Sequence, residues 1–220
     1  MFKQTFTIAA LSLAVLASAP LYAGNANPAS GRAVRPAVPL TFTYTVPTAD
    51  EAADMAFMRE EEKLARDVYL TLTETWEMAP FIAIAAAEQK HMNAMLRMLN
   101  NYQLPDPAAG KLIGEFANPD LQALYDTLLV QGAQSPAAAL KVGALIEEVD
   151  IEDNAAAIAT STKADVDAVY ERLSCGSRNH LRAFARAFTA LTGMPYEAQV
   201  LDQAAIDAIL VAPGEHCGRR

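Results

Sequence analysis

Between Phe81 and Tyr102 the chain reads FIAIAAAEQKHMNAMLRMLNNY, without Gly or Pro and with apolar side chains at every third or fourth position. At 3.6 residues per turn this spacing makes an amphipathic helix, because positions i, i+3, i+4 and i+7 share a face. That face carries Ile84, Met95 and Met98 or Leu99, and it also carries Glu88 and His91. A carboxylate and an imidazole three residues apart have Cβ atoms roughly 5–6 Å apart, so both reach one ion lying beside the helix. The plainer reading is an exposed helix edge with a local hydrogen bond. What other helices bring to the same place decides between them.

Three more long stretches have the helical period. Glu51 to Trp76 lacks Pro and Gly, and Met55, Met58, Ala65, Tyr69, Leu72 and Trp76 form its stripe. Glu62 falls in phase with that stripe, whereas Glu60 and Glu61 turn toward the flank. Taken alone, Glu60-Glu61-Glu62-Lys63 reads as a solvated charge run. In the next long stretch, Pro136 to Ile158, residues Leu140, Gly143, Ala144, Asp150, Ile151, Asn154 and Ile158 lie within about 60° of Glu147. Glu148 and Glu152 lie farther round and are the weaker candidates. Gly143 costs helix propensity and implies a close approach by a neighbour. The fourth stretch, from Thr162 or Lys163 to Leu191, has the stripe Val166, Val169, Leu173, Gly176, His180, Ala183 or Phe184, Ala187 and Leu191, and Gly193 ends it. A lone core histidine such as His180 is more often a hydrogen-bonded structural residue than a ligand.

Pro80 suits the first turn of a helix, and the short link around it makes the first two helices antiparallel neighbours. A shorter helix, Pro119 to Val130, interrupts the long passage between the second and third long helices; a small one, Asp202 to Val211, follows the fourth. The expected fold is an all-α antiparallel four-helix bundle with one long crossover.

Residues 1–23 have the layout of a secretory signal peptide: Lys3, an apolar run from Thr7 to Leu16, then small residues before a cut. Residues 24–50, with Pro28, Pro36, Pro39 and Pro47, read as an extended arm in which Leu40 to Val46 is a candidate short strand. A helical domain is expected over 51–212 and a flexible polar tail, including a solvated His216, over 213–220. The protein is expected to be exported, periplasmic or secreted, with no membrane anchor after cleavage. Its formal charge is −9, and −10 without the leader, which holds Lys3 and no acid. Such a balance argues against nucleic acid and anionic lipid as partners. Export leaves a Cys175–Cys217 bridge and two free thiols both open, the free pair slightly favoured, since their spacing says nothing of proximity. The absence of Cys-x-x-Cys excludes a rubredoxin-like or four-thiolate zinc site within this chain.

Each long helix therefore contributes something polar to an inward stripe: Glu62; Glu88 and His91; Glu147 and Asp150; His180. Four buried carboxylates without counter-charge would be forced to take up protons. Two divalent ions with four carboxylates and two neutral imidazoles form a locally neutral cluster, and that donor set suits iron, manganese or zinc. The methionines Met55, Met58, Met92, Met95 and Met98 fall at packing positions and read as core, not copper ligands.

These residues resemble a known family. Glu62-Lys63-Leu64-Ala65-Arg66-Asp67-Val68-Tyr69 is similar to the first-helix pattern Glu-x-x-Ala-Arg-x-x-Tyr of rubrerythrins, and Glu88-Gln89-Lys90-His91 to their second-helix ligand pair. Glu147-Glu148-Val149-Asp150 is similar to the third-helix Glu-x-x-Glu. Where the family has Glu-x-x-His in the fourth helix, this chain has Ser177-Arg178-Asn179-His180, so His180 matches and Ser177 does not. The longer match, about Ala52 to Leu201, resembles an exported ferritin-like domain family with no assigned activity. The resemblance implies a ferritin-like di-iron centre that oxidises Fe(II) or reduces dioxygen or hydrogen peroxide. Glu88 and Glu147 would bridge, Glu62 and Asp150 would be terminal, and His91 and His180 would each cap one ion. Tyr69 would donate a hydrogen bond to a ligand carboxylate, with plain core packing as the alternative. Expected partners are the metal ions, the oxidant, an external electron donor and, for assembly, a second copy of the chain. Metal sequestration without turnover and a metal-free helical interaction module are the competing readings.

Overall fold

The computed structural model describes residues 45–218; the leader at 1–23 and the arm up to residue 44 lie outside the described residues. The described chain is all-α. Its six helices are α1 (Ala49–Trp76), α2 (Ala79–Asn101), α3 (Pro119–Gly132), α4 (Pro136–Thr160), α5 (Ala164–Thr192) and α6 (Gln203–Val211). There is no strand among the described residues, and Val46 is exposed. No helix among them is long and apolar enough to cross a membrane.

Local chemistry sets the helix ends. A capping box opens α1: the Thr48 hydroxyl accepts from the Glu51 N–H at 3.1 Å, and the Glu51 carboxylate accepts from the Thr48 N–H at 2.8 Å. This starts the helix two residues before the expected Glu51. Glu77 closes it in the left-handed region, at φ 47°. Pro119 and Pro136 stand at the first positions of α3 and α4, behind the side-chain caps Asn118 and Ser135. Gly193, at φ 74°, ends α5 as the sequence leads one to expect.

Helices α1 and α2 pack along each other, as do α4 and α5; α1 against α4 and α2 against α5 join the two pairs. The links within the pairs are two and three residues long, which makes the partners antiparallel. Helix α3, within the crossover, rests on α1 and α4, and α6 rests on α5.

The apolar interior has two parts. One contains the ring cluster Tyr69, Phe81 and Phe184, with centroids 5.1–5.8 Å apart. The other contains Met55, Met58, Met95, Met98, Tyr170 and Leu173. Along α1, α2 and α5 the polar candidates lie between residues of one cluster and residues of the other, forming a polar layer between two apolar ones. All five methionines named above are buried. Leu191, expected on the inward stripe of α5, is 52% exposed, and Phe188 occupies the core instead.

The charge run on α1 departs from its simplest reading. Arg59, Glu60, Glu61, Glu62 and Lys63 are all buried: Glu62 faces inward toward His91, and the crossover lies over the flank that holds Arg59, Glu60 and Lys63. Arg59 pairs with Asp106 at 3.0 Å. Glu60 accepts from the backbone N–H of Asn118 at 3.0 Å. Lys63 pairs with Asp67, donates to the Leu112 carbonyl at 2.7 Å and lies 4.5 Å from the centre of the Phe116 ring. Charge on this helix thus fastens the crossover.

The C-terminal segment, expected to be free, is tied to α5. Cys175 and Cys217 form a disulfide, and Arg178 and Arg182 both pair with Glu215. His216 is exposed, as expected.

Candidate metal centre

Glu88 and His91 sit one turn apart on α2, and their partners come from three other helices. The Nδ1 atom of His91 lies 2.7 Å from Glu88 Oε2 and 3.1 Å from Glu62 Oε2 on α1. The Nδ1 atom of His180 on α5 lies 2.6 Å from Glu88 Oε1 and 3.4 Å from Glu147 Oε2 on α4. The two rings face each other with centroids 5.5 Å apart and planes inclined at 29°. Two sets of ligating atoms result, Glu62–Glu88–His91 and Glu88–Glu147–His180, each with all its atoms within 4.8 Å of one another. Glu88 belongs to both. Glu147, expected as a second bridge, belongs only to the His180 set.

Four of the expected ligands are fully buried carboxylates: Glu62, Glu88, Glu147 and Asp150 are at most 1% exposed. Asp150 lies outside both sets, yet it is turned into the same region, where Glu61, Glu62, Glu147 and Glu88 act on it electrostatically. Ser177, at the position where the resemblance expects a carboxylate, donates to the carbonyl of Leu173 within its own helix.

Tyr69 does more than pack. Its hydroxyl donates to Glu147 Oε1 at 2.6 Å, with the Gly143 carbonyl 3.2 Å away. That contact holds the carboxylate with its other oxygen toward His180. Gly143 is needed for a neighbouring reason: a Cβ there would lie 2.5 Å from the Phe184 ring. Gly176 on α5 stands against His91 in the same way, 2.5 Å from Cε1 and Nε2 to an added Cβ.

The electrostatics are those of an anion-rich pocket with two imidazoles. Burial pushes Glu62 up to about 7 against the pull of His91. Burial, with Glu61 and the other acids around it, holds Asp150 well above its ordinary range. Burial also raises Glu147, opposed by His180. For Glu88 the burial penalty is overcome by the two imidazoles, and its pKa falls. Burial alone would lower the imidazoles; Glu147 and Glu88 instead raise His180 to about 10, and Glu62 and Glu88 raise His91 well above its ordinary value.

The donor set fits divalent cations. Both oxygens of Glu88, both of Asp150, one of Glu147 and Nδ1 of His180 are buried without a hydrogen bond of good geometry. Buried polar atoms without partners are rare and costly, and a cation is the partner that satisfies several of them at once. Carboxylate oxygens and imidazole nitrogens are ligands for iron, manganese and zinc alike.

A family model described as an uncharacterized protein domain, DUF2202, matches residues 51–213. The chain belongs to this family. All of the candidate ligands lie within the DUF2202 match. The uncharacterized protein MJ0754 of Methanocaldococcus jannaschii is 43% identical over 166 residues, covering 76% of this chain and 89% of that protein. The crystal structure of the hypothetical protein MJ0754 aligns with a TM-score of 0.76 at 40% identity, covering 80% of this chain and 99% of that one.

Within this DUF2202 domain the sequence reading missed Glu61. Phase places Glu61 off the stripe, but it is 4% exposed, one of its oxygens has no hydrogen-bond partner, and it interacts with Asp150 and Asp153. The packing of α3 and α4 against α1 is what distinguishes it from a surface acid. Glu148, a weaker candidate from phase, is wholly buried for a structural purpose: it accepts the backbone N–H groups of Gln199, Val200 and Leu201 at 2.7–3.1 Å.

Proposed function

We propose that α1, α2, α4 and α5 form a ferritin-like four-helix bundle around a dinuclear metal centre, with iron as the first choice of metal and manganese or zinc as alternatives. The observation that carries this reading is Glu88, which presents one carboxylate oxygen to each of two facing imidazoles. Glu62 and His91 would hold one ion, Glu147 and His180 the other, and Glu88 would serve both. Asp150, its oxygens unpartnered, would complete the four carboxylates in place of the acid that Ser177 lacks.

A pair of redox-active ions held by these residues would supply electrons to dioxygen or hydrogen peroxide, the chemistry of Fe(II) oxidation or peroxide reduction. The residues of the chain do the positioning. Glu88 holds the two halves in register, Tyr69 turns Glu147, and Gly176 leaves the space that His91 occupies. The apolar layers on either side limit the access of water and so strengthen every charge interaction between them. Repeated turnover requires an electron donor from outside the chain, and a homodimer belongs to the same proposal. Export is part of it as well, supported by the layout of residues 1–23 and by the Cys175–Cys217 disulfide, which belongs to an oxidising compartment.

The second reading, metal storage without turnover, draws on Ser177 standing where the resemblance has a carboxylate. Elemental analysis of protein purified from its native compartment, expressed as ions per chain, combined with difference spectra of ferrous-loaded protein before and after peroxide, separates the two. Two iron ions and a spectral change support the oxidoreductase; two ions with no change support storage. Background metal in the wild type would overturn both.

A further inference from the structure

A line of acids leads away from the candidate centre on the side where α1 packs against α4. At its outer end Asp54 from α1 and Asp153 from α4 line an open groove, and both are half-buried. Behind Asp153 lies Glu61, 4% exposed, whose carboxyl is within hydrogen-bonding reach of it. Glu61 is in turn the acid that acts most strongly on Asp150, ahead of Glu62, Glu147 and Glu88. Three carboxylates thus stand one behind another between solvent and the centre.

Neither helix supplies a counter-charge here. Helix α1 has no Lys, Arg or His before Arg59, α4 has none after Lys141, and Arg59 and Lys63 are taken up by Asp106 and Asp67. Other buried acids of α1 have donors: Glu51 accepts from the Thr162 hydroxyl and Glu60 from the N–H of Asn118. Glu61 Oε2 and both oxygens of Asp150 have none among the described residues. A neutral group points the same way. Asn154, wholly buried one turn after Asp150, donates its Nδ2 to the Asp150 carbonyl at 2.7 Å, which turns the amide toward that acid and leaves Oδ1 without a partner. Buried oxygens with no donor among them are costly, and a hard divalent cation is the ligand that such oxygens accept. The other side of the centre differs in charge: where α2 meets α5 the imidazoles are 12–15% exposed, but Arg97 and Arg172 line the neighbouring groove.

We propose that Asp153, Glu61 and Asp150 are the entry route by which a divalent cation passes from the α1–α4 groove to the centre, with Asn154 lending a neutral oxygen near its inner end. The inference rests on the dinuclear reading above. A cation leaving water must exchange its hydration shell for other oxygens, and carboxylates placed one behind another let it do so in stages. Their uncompensated charge also draws cations from solvent, in a salt-dependent way. Glu61 and Asp153 are transit groups, so their loss slows loading and leaves the final metal content unchanged.

Co(II) is the probe, mixed with the metal-stripped full chain in a stopped flow and followed by its visible absorption, with final content measured by elemental analysis. Glu61→Gln keeps the shape of the side chain, and Asp153→Asn lies at the half-exposed end where folding is not at stake. Each should load about tenfold more slowly than wild type and reach the same number of ions per chain. Raising the salt concentration should slow the wild type more than either variant, a response that a merely structural role would not give. Glu152→Gln, an exposed acid of the same helix outside the line, should load at the wild-type rate. A wild-type rate in either route variant, or a lowered final content in Glu61→Gln, which would make that acid a ligand, would each overturn the proposal. Wild-type protein that takes up no Co(II) would instead overturn the metal reading and the route with it, so the two failures are distinguishable.

Discussion

Gly176 on α5 and His91 on α2 are in such close contact that a single methyl at Gly176 would fall 2.5 Å from two atoms of the imidazole ring. The ring cannot retreat without leaving Glu62 and Glu88, to which its Nδ1 points. Gly176→Ala is therefore expected to displace His91. Alanine is the better helix former by roughly 1 kcal/mol, so the helix itself is not weakened. Metal affinity should fall about 10–100-fold, the usual cost of disturbing a group that orients a ligand. Isothermal titration with Co(II), set beside a thermal melt, checks this; unchanged affinity would show that His91 is not a ligand.

Two buried glutamates, one on α2 and one on α4, should respond in opposite ways to the same substitution. Glu88→Gln removes the one carboxylate common to both sets of candidate ligands, and on the proposed dinuclear centre bound metal should drop from two ions per chain to one or none. Glu148→Gln leaves the cluster intact but weakens the acceptor for three backbone N–H groups of the 199–201 segment. It should cost about 1–3 kcal/mol of stability with metal content unchanged. Parallel denaturant curves and elemental analysis of the two variants test the contrast; a Glu148 variant that loses metal contradicts it.

Acid should loosen the contact between the start of α1 and the start of α5. The Glu51 carboxylate accepts from the Thr162 hydroxyl at 2.7 Å and from the Thr48 N–H at 2.8 Å, and these bonds hold its pKa at about 2 instead of 4.5. A carboxylate depressed by folding stabilises the native state fully above its unfolded value. That contribution is lost as pH falls from about 4.5 toward 2. Wild-type urea midpoints should thus decline more steeply over this interval than those of Glu51→Gln, whose profile should be the flatter. Parallel profiles would remove Glu51 from the account.

Reduction of the disulfide should be costly in its own right. Cys175 and Cys217 are 42 residues apart, and closing a loop of that length stabilises by about 4 kcal/mol on chain-entropy grounds. Cys217→Ser should lower the free energy of unfolding by a comparable amount and release the Glu215 segment from Arg178 and Arg182. Hydrogen exchange at residues 213–218 reports the release directly; continued protection there would mean that the ion pairs alone hold the segment.

Much of this was legible along the chain. The long helices follow from periodicity and end chemistry, down to Pro80 in the first turn of α2 and Gly193 closing α5, because both depend on contacts within a few residues. Glu62, Glu88, Glu147 and Asp150 were recognisable as buried acids from phase alone, since an inward stripe interrupted by a carboxylate is visible in one dimension. Glu61 was not. Its burial depends on α3 and α4 packing against that flank of α1, and nothing in residues 59–63 distinguishes that from water. The Cys175–Cys217 pairing was hidden for the same reason, as was the work of Glu148 in holding residues 199–201.

By itself, then, the sequence determined the helices, their inward faces and the residues that interrupt those faces, because each is a matter of spacing at 3.6 residues per turn. Tertiary structure alone decided that Glu88 is shared between His91 and His180, that Cys175 pairs with Cys217, and that a charged run is buried. Those are distances between segments far apart in the chain, and only the packing of one helix on another sets them.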